Sequence, residues 1–299
     1  MIVNRLTSND PQPPQCSRGA LVLAGGGVAG IAWETGVLLG IQDVEPDAAA
    51  RIIGSPTTLI GTSAGSTVAA QISAGASLEE LFARHLDEKS SEVYVEADFV
   101  AFMASMAAAQ SEATSPDDAR SRIGTFAKST KTVDRAVRRG VIEARLSGMD
   151  WSDRDLRITS VDADSGVPIV FDRASGLSLV DAVEASSAVP GIWPVVPLAG
   201  RRYIDGGVRT MANADLAAGF DPVLVLIPQM ERTSTGYSID PAELKSLAPS
   251  RVHVVYADAA AVEAFGTNPL DPSVRKPSAL AGRDLGRSIA SAIATFWGI

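Results

Sequence analysis

The chain has 299 residues, of which 46% are hydrophobic and 20% charged, and this composition is typical of a globular protein with a substantial core. It excludes a collagen-like repeat, a coiled coil and general disorder as descriptions of the whole chain. The formal net charge of −9 repels phosphate backbones and argues against a nucleic-acid partner. A single cysteine, Cys16, excludes an intramolecular disulfide.

The N-terminal 18 residues contain three prolines and lack the apolar run of about 7 to 15 residues that a secretory signal needs. We therefore expect residues 1–18 to form a loosely ordered arm. The longest uncharged apolar stretch, residues 19–33, is rich in glycine and shorter than the roughly 20 residues of a membrane helix. These features predict a cytoplasmic protein without a transmembrane segment.

Apolar, strand-like runs alternate with helical stretches, which predicts an α/β fold with a mostly parallel central sheet covered by helices. The last two runs are uninterrupted and are predicted to be buried on both faces. No repeat or long linker divides the chain, so we expect a single domain over residues 1–299. The predicted strands are Ala20–Ala24, Thr57–Gly61, a hairpin from Arg157 to Phe171 that turns at residues 164–166, Arg202–Ile204, Pro222–Ile227 and Arg251–Tyr256.

Residues 77–146, which follow the second predicted strand and its helix, are predicted to be a helical insertion. Ser77 is placed to cap its first helix, and Glu80 three residues later completes a capping-box pattern. Further helices are predicted over residues 98–110 and 116–146. The insertion is either a cap over a site on the sheet or additional scaffold with a solvated basic face.

The strongest chemical signal is Gly61-Thr62-Ser63-Ala64-Gly65, a G-x-S-x-G sequence between a predicted strand and a predicted helix. Such a tight turn holds its central serine in a strained, exposed conformation at the start of the helix. There, backbone N–H groups and the helix dipole favour a developing negative charge. This context predicts that Ser63 is a nucleophile, whereas a serine that only caps the helix is the alternative.

A second signal is Gly25-Gly26-Gly27-Val28-Ala29-Gly30, which follows the first predicted strand and opens a helix. Consecutive glycines can turn several N–H groups toward one point. The loop is thus either an oxyanion hole for Ser63 or the phosphate turn of a dinucleotide-binding fold. The dinucleotide interpretation needs a second strand ending in an acidic residue about 20 positions on, and residues 45–50 do not resemble one.

The third signal is Asp205-Gly206-Gly207, at the end of a short predicted strand. A serine nucleophile needs a base, and histidine is the usual one. The chain has two histidines; His85 falls in a helical run and His253 alternates with valines in a strand, so both are predicted to be structural. Asp205 is therefore the best candidate base, and an ordinary Asp-Gly turn is the alternative.

Together with the segment Ala185–Pro194, these three motifs resemble the patatin-like phospholipase family of acyl hydrolases, in the same order along the chain. The resemblance covers approximately residues 19–228. It implies a three-layer α/β/α fold and a Ser-Asp dyad, with Ser63 as nucleophile and Asp205 as base. It also implies hydrolysis of lipid acyl esters through an acyl-serine intermediate, with neither a metal nor a cofactor.

The resemblance further implies an oxyanion hole and shows one departure from the family pattern. The family usually has Arg or Lys where this chain has Ala29. That change leaves the backbone donors in place but removes a positive charge near the loop. The amides expected to bind the oxyanion are those of Gly25, Gly26, Gly27 and Ala64.

Two other functions stay open at this level. One is an acyl-chain or lipid-binding protein that keeps the fold with little or no activity, which the alanine at position 29 suggests; the other is a dinucleotide-binding oxidoreductase, which rests on the glycine loop alone. For an enzyme, the expected partner is a lipid or other ester, with transient membrane-surface contact. That contact would use apolar patches, the basic residues of the segment 135–139, or the C-terminal segment 289–299, for which packing as a helix is favoured.

Overall fold

The computed structural model describes residues 18–89, 91–96, 99–233 and 236–299. The predicted N-terminal arm therefore lies outside the described residues, except for its last position, Arg18. The same holds for residue 98, where the second helix of the insertion was predicted to begin.

Within the described residues, eight strands form one sheet in the order β10-β7-β1-β2-β3-β6-β5, and β4 pairs with the free side of β3. Neighbours from β10 to β3 are parallel, whereas β6 is antiparallel to β3 and to β5. The strands are β1 (Ala20–Leu23), β2 (Thr58–Gly61), β3 (Leu156–Asp162), β4 (Pro168–Phe171), β5 (Val196–Leu198), β6 (Arg201–Asp205), β7 (Val223–Ile227) and β10 (Val252–Tyr256), while β8 (Arg232–Thr233) and β9 (Gly236–Tyr237) pair separately.

Every predicted strand is present, and its ends agree within one residue. The prediction that the last two strands are buried on both faces is confirmed for β7 but wrong for β10, which lies at the edge of the sheet and is only half-buried. The three-residue strand β5 and the β8–β9 pair were not predicted, because runs this short carry no periodic signal.

The helices are α1 (Gly27–Val44), α2 (Pro46–Ile53), α3 (Ala64–Ser73), α4 (Leu78–Leu86), α5 (Phe99–Glu112), α6 (Pro116–Ser129), α7 (Arg135–Leu146), α8 (Leu179–Ser186), α9 (Pro241–Lys245), α10 (Ala259–Phe265) and α11 (Arg275–Trp297). The predicted cap of α4 is confirmed, since Ser77 Oγ accepts from the Glu80 amide at 3.2 Å. The single helix predicted over residues 116–146 is two helices. Asp134 causes the break, because its side chain accepts from the Ala136 amide and caps α7.

Helices cover both faces of the sheet, which confirms the predicted fold class. Alternate residues of β1 point to opposite faces. Leu21 and Leu23 join a core formed with α1, α3, α8 and α11, whereas Val22 joins a second core with the segment Ala212–Ala217. On that second face, α6 packs against the end of β3 and β6. The sheet is therefore the middle of three layers.

Small residues allow α1 and α11 to pack in close contact. A Cβ atom added to Gly36 would overlap the carbonyl oxygen of Ala279, and one added to Gly286 would overlap that of Val37. The two backbones therefore touch, and the first turn of α1 is held in a fixed position over the sheet.

Candidate active site

The pairing of β3 brings two distant segments together. Along one edge, β3 pairs first with β2, up to Ile158 opposite Gly61, and then with β6, from Ser160 opposite Asp205. The other edge of β3 pairs with β4 at the same positions. Because β2 runs parallel and β6 antiparallel to β3, their carboxyl ends meet with only Thr159 between the two pairings. Residues 63 and 205 follow from these ends.

Ser63 occupies the turn between β2 and α3 in a strained conformation. Its φ of 52° lies in the left-handed region that residues other than glycine rarely adopt. A hydrogen bond from the neighbouring helix α8 holds this turn in place, because the Ser63 amide donates to Ser186 Oγ at 2.9 Å. The serine is 7% exposed. The backbone thus holds the Ser63 side chain in one orientation, as a nucleophile at a strand-to-helix turn requires.

The glycines on either side of this turn are required by close packing. A Cβ atom at Gly65 would overlap the carbonyl oxygen of Leu23 in β1, and one at Gly61 would lie 2.6 Å from the Cα of Ser66. The Gly65 amide also donates to Ala24 O at 3.0 Å. The G-x-S-x-G spacing therefore reflects the approach of α3 to the strand that carries the glycine-rich loop.

Asp205 is 4% exposed at the end of β6, and its backbone amide donates to Ala188 O at 3.0 Å. Its Oδ1 accepts from the Gly207 amide at 2.7 Å. Its Oδ2 is buried and makes no hydrogen bond within the described residues. One carboxylate oxygen is thus fixed by its own turn, and the other is left for a partner that is not part of that turn.

Burial raises the pKa of Asp205 to about 6. Three interactions oppose burial by lowering the pKa, in decreasing order: the Ser63 side chain, the Gly207 amide and the positive charge of Arg138. No ordinary hydrogen bond joins the Ser63 hydroxyl to either carboxylate oxygen, so the two side chains face each other with a looser contact. Such contacts are often long before a substrate binds.

The glycine-rich loop lies against this pair. A Cβ atom at Gly25 would be 3.5 Å from the Ser63 Cβ, and one at Gly30 would be 3.2 Å from the Ala64 Cβ. The first turns of α1 and α3 therefore converge beside Ser63. Helix N-termini carry unpaired N–H groups, so this convergence concentrates hydrogen-bond donors.

Of the four predicted oxyanion donors, one is already bonded. The Gly25 amide donates to Met211 O at 2.8 Å, so in this conformation it is not free to bind an oxyanion. The amides of Gly26, Gly27 and Ala64 have no backbone acceptor within the residues that the structure describes. These three remain candidates to bind an oxyanion.

Asn213 links the two turns and was missed by the sequence analysis. Its side-chain amide donates to Thr62 Oγ1 at 3.1 Å, Gly206 O at 3.3 Å and Thr210 O at 2.9 Å. The residue is 2% exposed, with a φ of 51° that asparagine tolerates better than most residues. It thus fixes the serine turn relative to the aspartate turn. No local sequence signal identifies it, because its bond to Thr62 depends on the fold and its short-range bonds with Arg209 and Thr210 give no pattern that marks a functional residue.

A cation near Asp205 comes from the helical insertion. Arg138 of α7 is 5% exposed, and its guanidinium lies 4.0 Å from the ring centroid of Trp193. Burial lowers the pKa of Arg138 to about 9, while Asp205 is among the acids that raise it. Ala29 is fully buried in the core, and its amide donates to Pro269 O at 2.9 Å. Arg138 therefore supplies a positive charge near the site although position 29 does not.

The other two arginines of the segment 135–139 do not form a free basic face. Arg135 makes two hydrogen bonds to the buried carboxylate of Glu184, at 3.0 and 2.8 Å. Arg139 donates to Asp181 at 2.6 Å and to Glu184 at 3.0 Å. These pairs join α7 to α8, so they hold the insertion on the body and do not support the alternative of a solvated basic face.

Both histidines lie within regular secondary structure, as their sequence context predicts. His85 is in α4, and His253 is in β10, where its ring lies 5.3 Å from that of Phe296 in α11. The strand β2 ends at Gly61 and is followed by Thr62, without the acidic residue that a dinucleotide fold places there. Within the described residues there is no cluster of three metal-ligating acidic, histidine or cysteine side chains, and no helix is long and apolar enough to cross a membrane.

Comparison with known proteins agrees with this geometry. The family model described as "Patatin-like phospholipase" matches residues 21–218. A search of curated proteins finds no match. Among solved structures, the chain is similar to VipD from Legionella pneumophila, with a TM-score of 0.43, 11% identity, and coverage of 93% of this chain and 67% of that one. It is also similar to the type III effector protein ExoU, with a TM-score of 0.39, 14% identity, and coverage of 94% and 54%.

Proposed function

Because the chain belongs to the patatin-like phospholipase family, we propose that it hydrolyses the acyl ester bonds of lipids with Ser63 as nucleophile and Asp205 as base. The observation that carries this proposal is the meeting of a strained serine with a buried carboxyl group whose second oxygen has no other hydrogen bond. Both side chains lie beside two helix N-termini with unpaired amides.

In the proposed reaction, Ser63 Oγ attacks the ester carbonyl carbon as its proton passes to Asp205 Oδ2. The amides of Gly26, Gly27 and Ala64 hold the oxyanion, and donors of this kind contribute on the order of 100- to 1000-fold each to turnover. The proton then leaves with the alcohol as the carbon–oxygen bond breaks. Asp205 then takes a proton from a water molecule that attacks the acyl-serine, and returns this proton to Ser63 Oγ as the acyl carbon–Oγ bond breaks and the carboxylic acid is released.

The electrostatics of Asp205 suit this role. A carboxyl group with the ordinary pKa near 4 is a weak base toward an alcohol. Burial raises the pKa of Asp205 to about 6, which makes the ionised form a stronger base while it still predominates at neutral pH. The Gly207 amide fixes Oδ1, so the carboxylate keeps Oδ2 available to the serine.

An apolar cluster next to the loop is the proposed place for the acyl chain. It contains Ile192, Trp193 and Leu270, with Val189 packed against it. A Cβ atom at Gly27 would lie 2.7 Å from a Leu270 methyl carbon, so the cluster adjoins the candidate oxyanion donors. Apolar side chains beside polar catalytic groups are the usual composition of a ligand pocket.

The test is hydrolysis of nitrophenyl esters, lysophospholipids and diacyl phospholipids by the parent protein, S63A and D205N. We expect both variants to lose roughly a thousandfold or more of kcat/KM, and only proteins with an activated Ser63 to react with a fluorophosphonate probe. Matched controls are S288A and D284N, which alter exposed side chains of α11 and should keep full activity.

Stability separates a catalytic loss from a folding loss. The raised pKa of Asp205 means that the folded state binds this proton more tightly than the unfolded state does. The contribution of Asp205 to the stability of the folded protein is therefore lost as pH rises through about 6. D205N should thus be at least as stable as the parent at pH 7. Undiminished esterase activity in D205N would contradict the dyad. A parent protein that binds lipid without hydrolysing any ester would support the lipid-binding alternative.

A further inference from the structure

A cavity of about 180 Å³ lies on the helical side of the molecule, between α1, α3, α4, α7 and the start of α11. The space far exceeds the ~15 Å³ that one water needs. Val28 and Ile31 of α1 form part of the wall, and Val28 directly follows Gly27 of the glycine-rich loop in the chain. The other lining residues used below are Gln71, Arg84, His85, Lys89, Arg145 and Arg275.

The wall carries four cations, Arg84, Lys89, Arg145 and Arg275, and two acids, Asp87 and Glu92. Arg145 is paired with Glu92 through two hydrogen bonds of 2.7 Å. Within the part of the chain that the structure describes, Arg84, Lys89 and Arg275 take part in none of the ion pairs. Arg275 donates to the carbonyl oxygens of Arg84 and Asp87, at 3.2 and 2.6 Å, which orient it without neutralising it.

His85 lies among these cations in the wall of the cavity. Burial, and then the positive charge of Arg275, lower the pKa of His85 to about 4, and Arg145 and Arg84 act in the same direction. Glu92 acts in the opposite direction without restoring the ordinary value. Arg275, Arg145 and Arg84 therefore surround the imidazole with positive potential, which favours an anion in the cavity.

A second polar group in the wall lacks a partner. Gln71 is 5% exposed; its amide nitrogen donates to Arg145 O at 2.9 Å, but its Oε1 is buried and accepts no hydrogen bond within the described residues. A buried acceptor without a donor costs on the order of 1 to 3 kcal/mol, so a ligand hydroxyl at this point would be favourable. The wall thus presents cations for an anion and an acceptor for a hydroxyl group.

We propose that this cavity binds a phosphate ester that carries a free hydroxyl group, with the phosphate held by Arg84, Lys89 and Arg275 and the hydroxyl donated to Gln71. A glycerol phosphate unit has this chemistry, either as a soluble molecule or as a lipid head group. Arginine and lysine are well suited to phosphate oxygens, because they bring charge and several donors together. The site is separate from Ser63 and requires no ester hydrolysis.

The two histidines make the test direct. With the histidine rings labelled with 13C, the NMR signal of His85 reports on the cavity, and that of His253 on β10 serves as the internal control. We expect glycerol 3-phosphate to shift the His85 signal with saturation and to raise the pKa of His85, whereas sodium chloride at equal ionic strength does not. The His253 signal should stay unchanged with both additions.

Variants locate the site. The R84Q/K89Q double variant removes two exposed cations of the cavity, and R51Q/K245Q removes two cations elsewhere, so both pairs change the net charge equally. We expect R84Q/K89Q to weaken glycerol 3-phosphate binding by about tenfold or more, and R51Q/K245Q to leave it within about twofold. Q71M should reduce the preference for glycerol 3-phosphate over sulfate, which has no hydroxyl group.

The proposal is overturned if glycerol 3-phosphate moves the His85 signal no more than sodium chloride does, or if both double variants bind it equally. The S63A variant should give the parent's result, so a failed esterase assay leaves this test intact. Sedimentation with phosphatidylglycerol and phosphatidylcholine vesicles shows whether the bound glycerol phosphate belongs to a lipid head group or to a soluble molecule. Binding to phosphatidylglycerol that R84Q/K89Q loses and R51Q/K245Q keeps assigns the site to a lipid head group; equal vesicle binding assigns it to the soluble ester.

Discussion

The dyad region and the helical insertion α4–α7 are held in place by different kinds of contact. Around Ser63 and Asp205, backbone groups meet backbone groups: Gly65 approaches Leu23, and Gly25 donates to Met211. In the insertion, long side chains bridge the gaps, as in the Arg145–Glu92 pair and the arginines of α7 that bind Glu184. The first region therefore depends on glycines that lack a side chain, besides the bonds of Asn213 and Ser186, whereas the second depends on paired charged side chains.

This difference predicts different tolerance to the same substitution. Gly65→Ala should destabilise the protein by at least about 3 kcal/mol, because the new methyl group would overlap a strand carbonyl that cannot move. Gly140→Ala, in α7, meets nothing within 4 Å and should stabilise by about 0.5 to 1 kcal/mol. Denaturant unfolding of the two variants measures both. Equal stabilities would show that the comparison is wrong.

Asn213 tests whether the two turns act as one unit. Asn213→Gly keeps the left-handed backbone and removes the side-chain hydrogen bonds, whereas Asn213→Ala also imposes a strained φ. We expect both variants to lower kcat by roughly ten- to a hundredfold with little change in KM, since the reacting groups become misplaced. The alanine variant should be less stable than the glycine variant by about 1 kcal/mol. A change confined to stability would assign Asn213 a purely structural role.

The sequence predicts the dyad region well because the close contacts there require glycine, and the glycines form recognisable motifs. Close approaches require glycine at positions 26, 27, 61 and 65, and such positions are visible as motifs beside strand ends. The strands were found because buried runs of apolar residues keep a clear pattern. The predicted roles of Ser63 and Asp205 are for enzymology to test.

The remaining features depend on contacts between residues far apart in the chain. The bond from Gly25 to Met211 and the position of Asn213 appear only when the loop after β6 folds back on the sheet. The break between α6 and α7 has a local signal, the N-cap Asp134, which helical periodicity alone obscures. The burial of Arg138 has none, since a basic residue on a helix is usually solvated.

Arg138 is the point at which the insertion acts on the dyad. Arg138→Met removes a positive charge that lowers the pKa of Asp205, so this pKa should rise above about 6. Since the base must be ionised, kcat/KM for an ester rises with pH through this pKa, and the acidic limb of the profile should move to higher pH in the variant. Activity should fall most below pH 6 and least above pH 8.

Arg122→Met, in an exposed part of α6, should leave the acidic limb of the pH profile unchanged. An unshifted limb in Arg138→Met would mean that the insertion supports the site by packing alone, because the Trp193 contact would then be the only function left to the arginine.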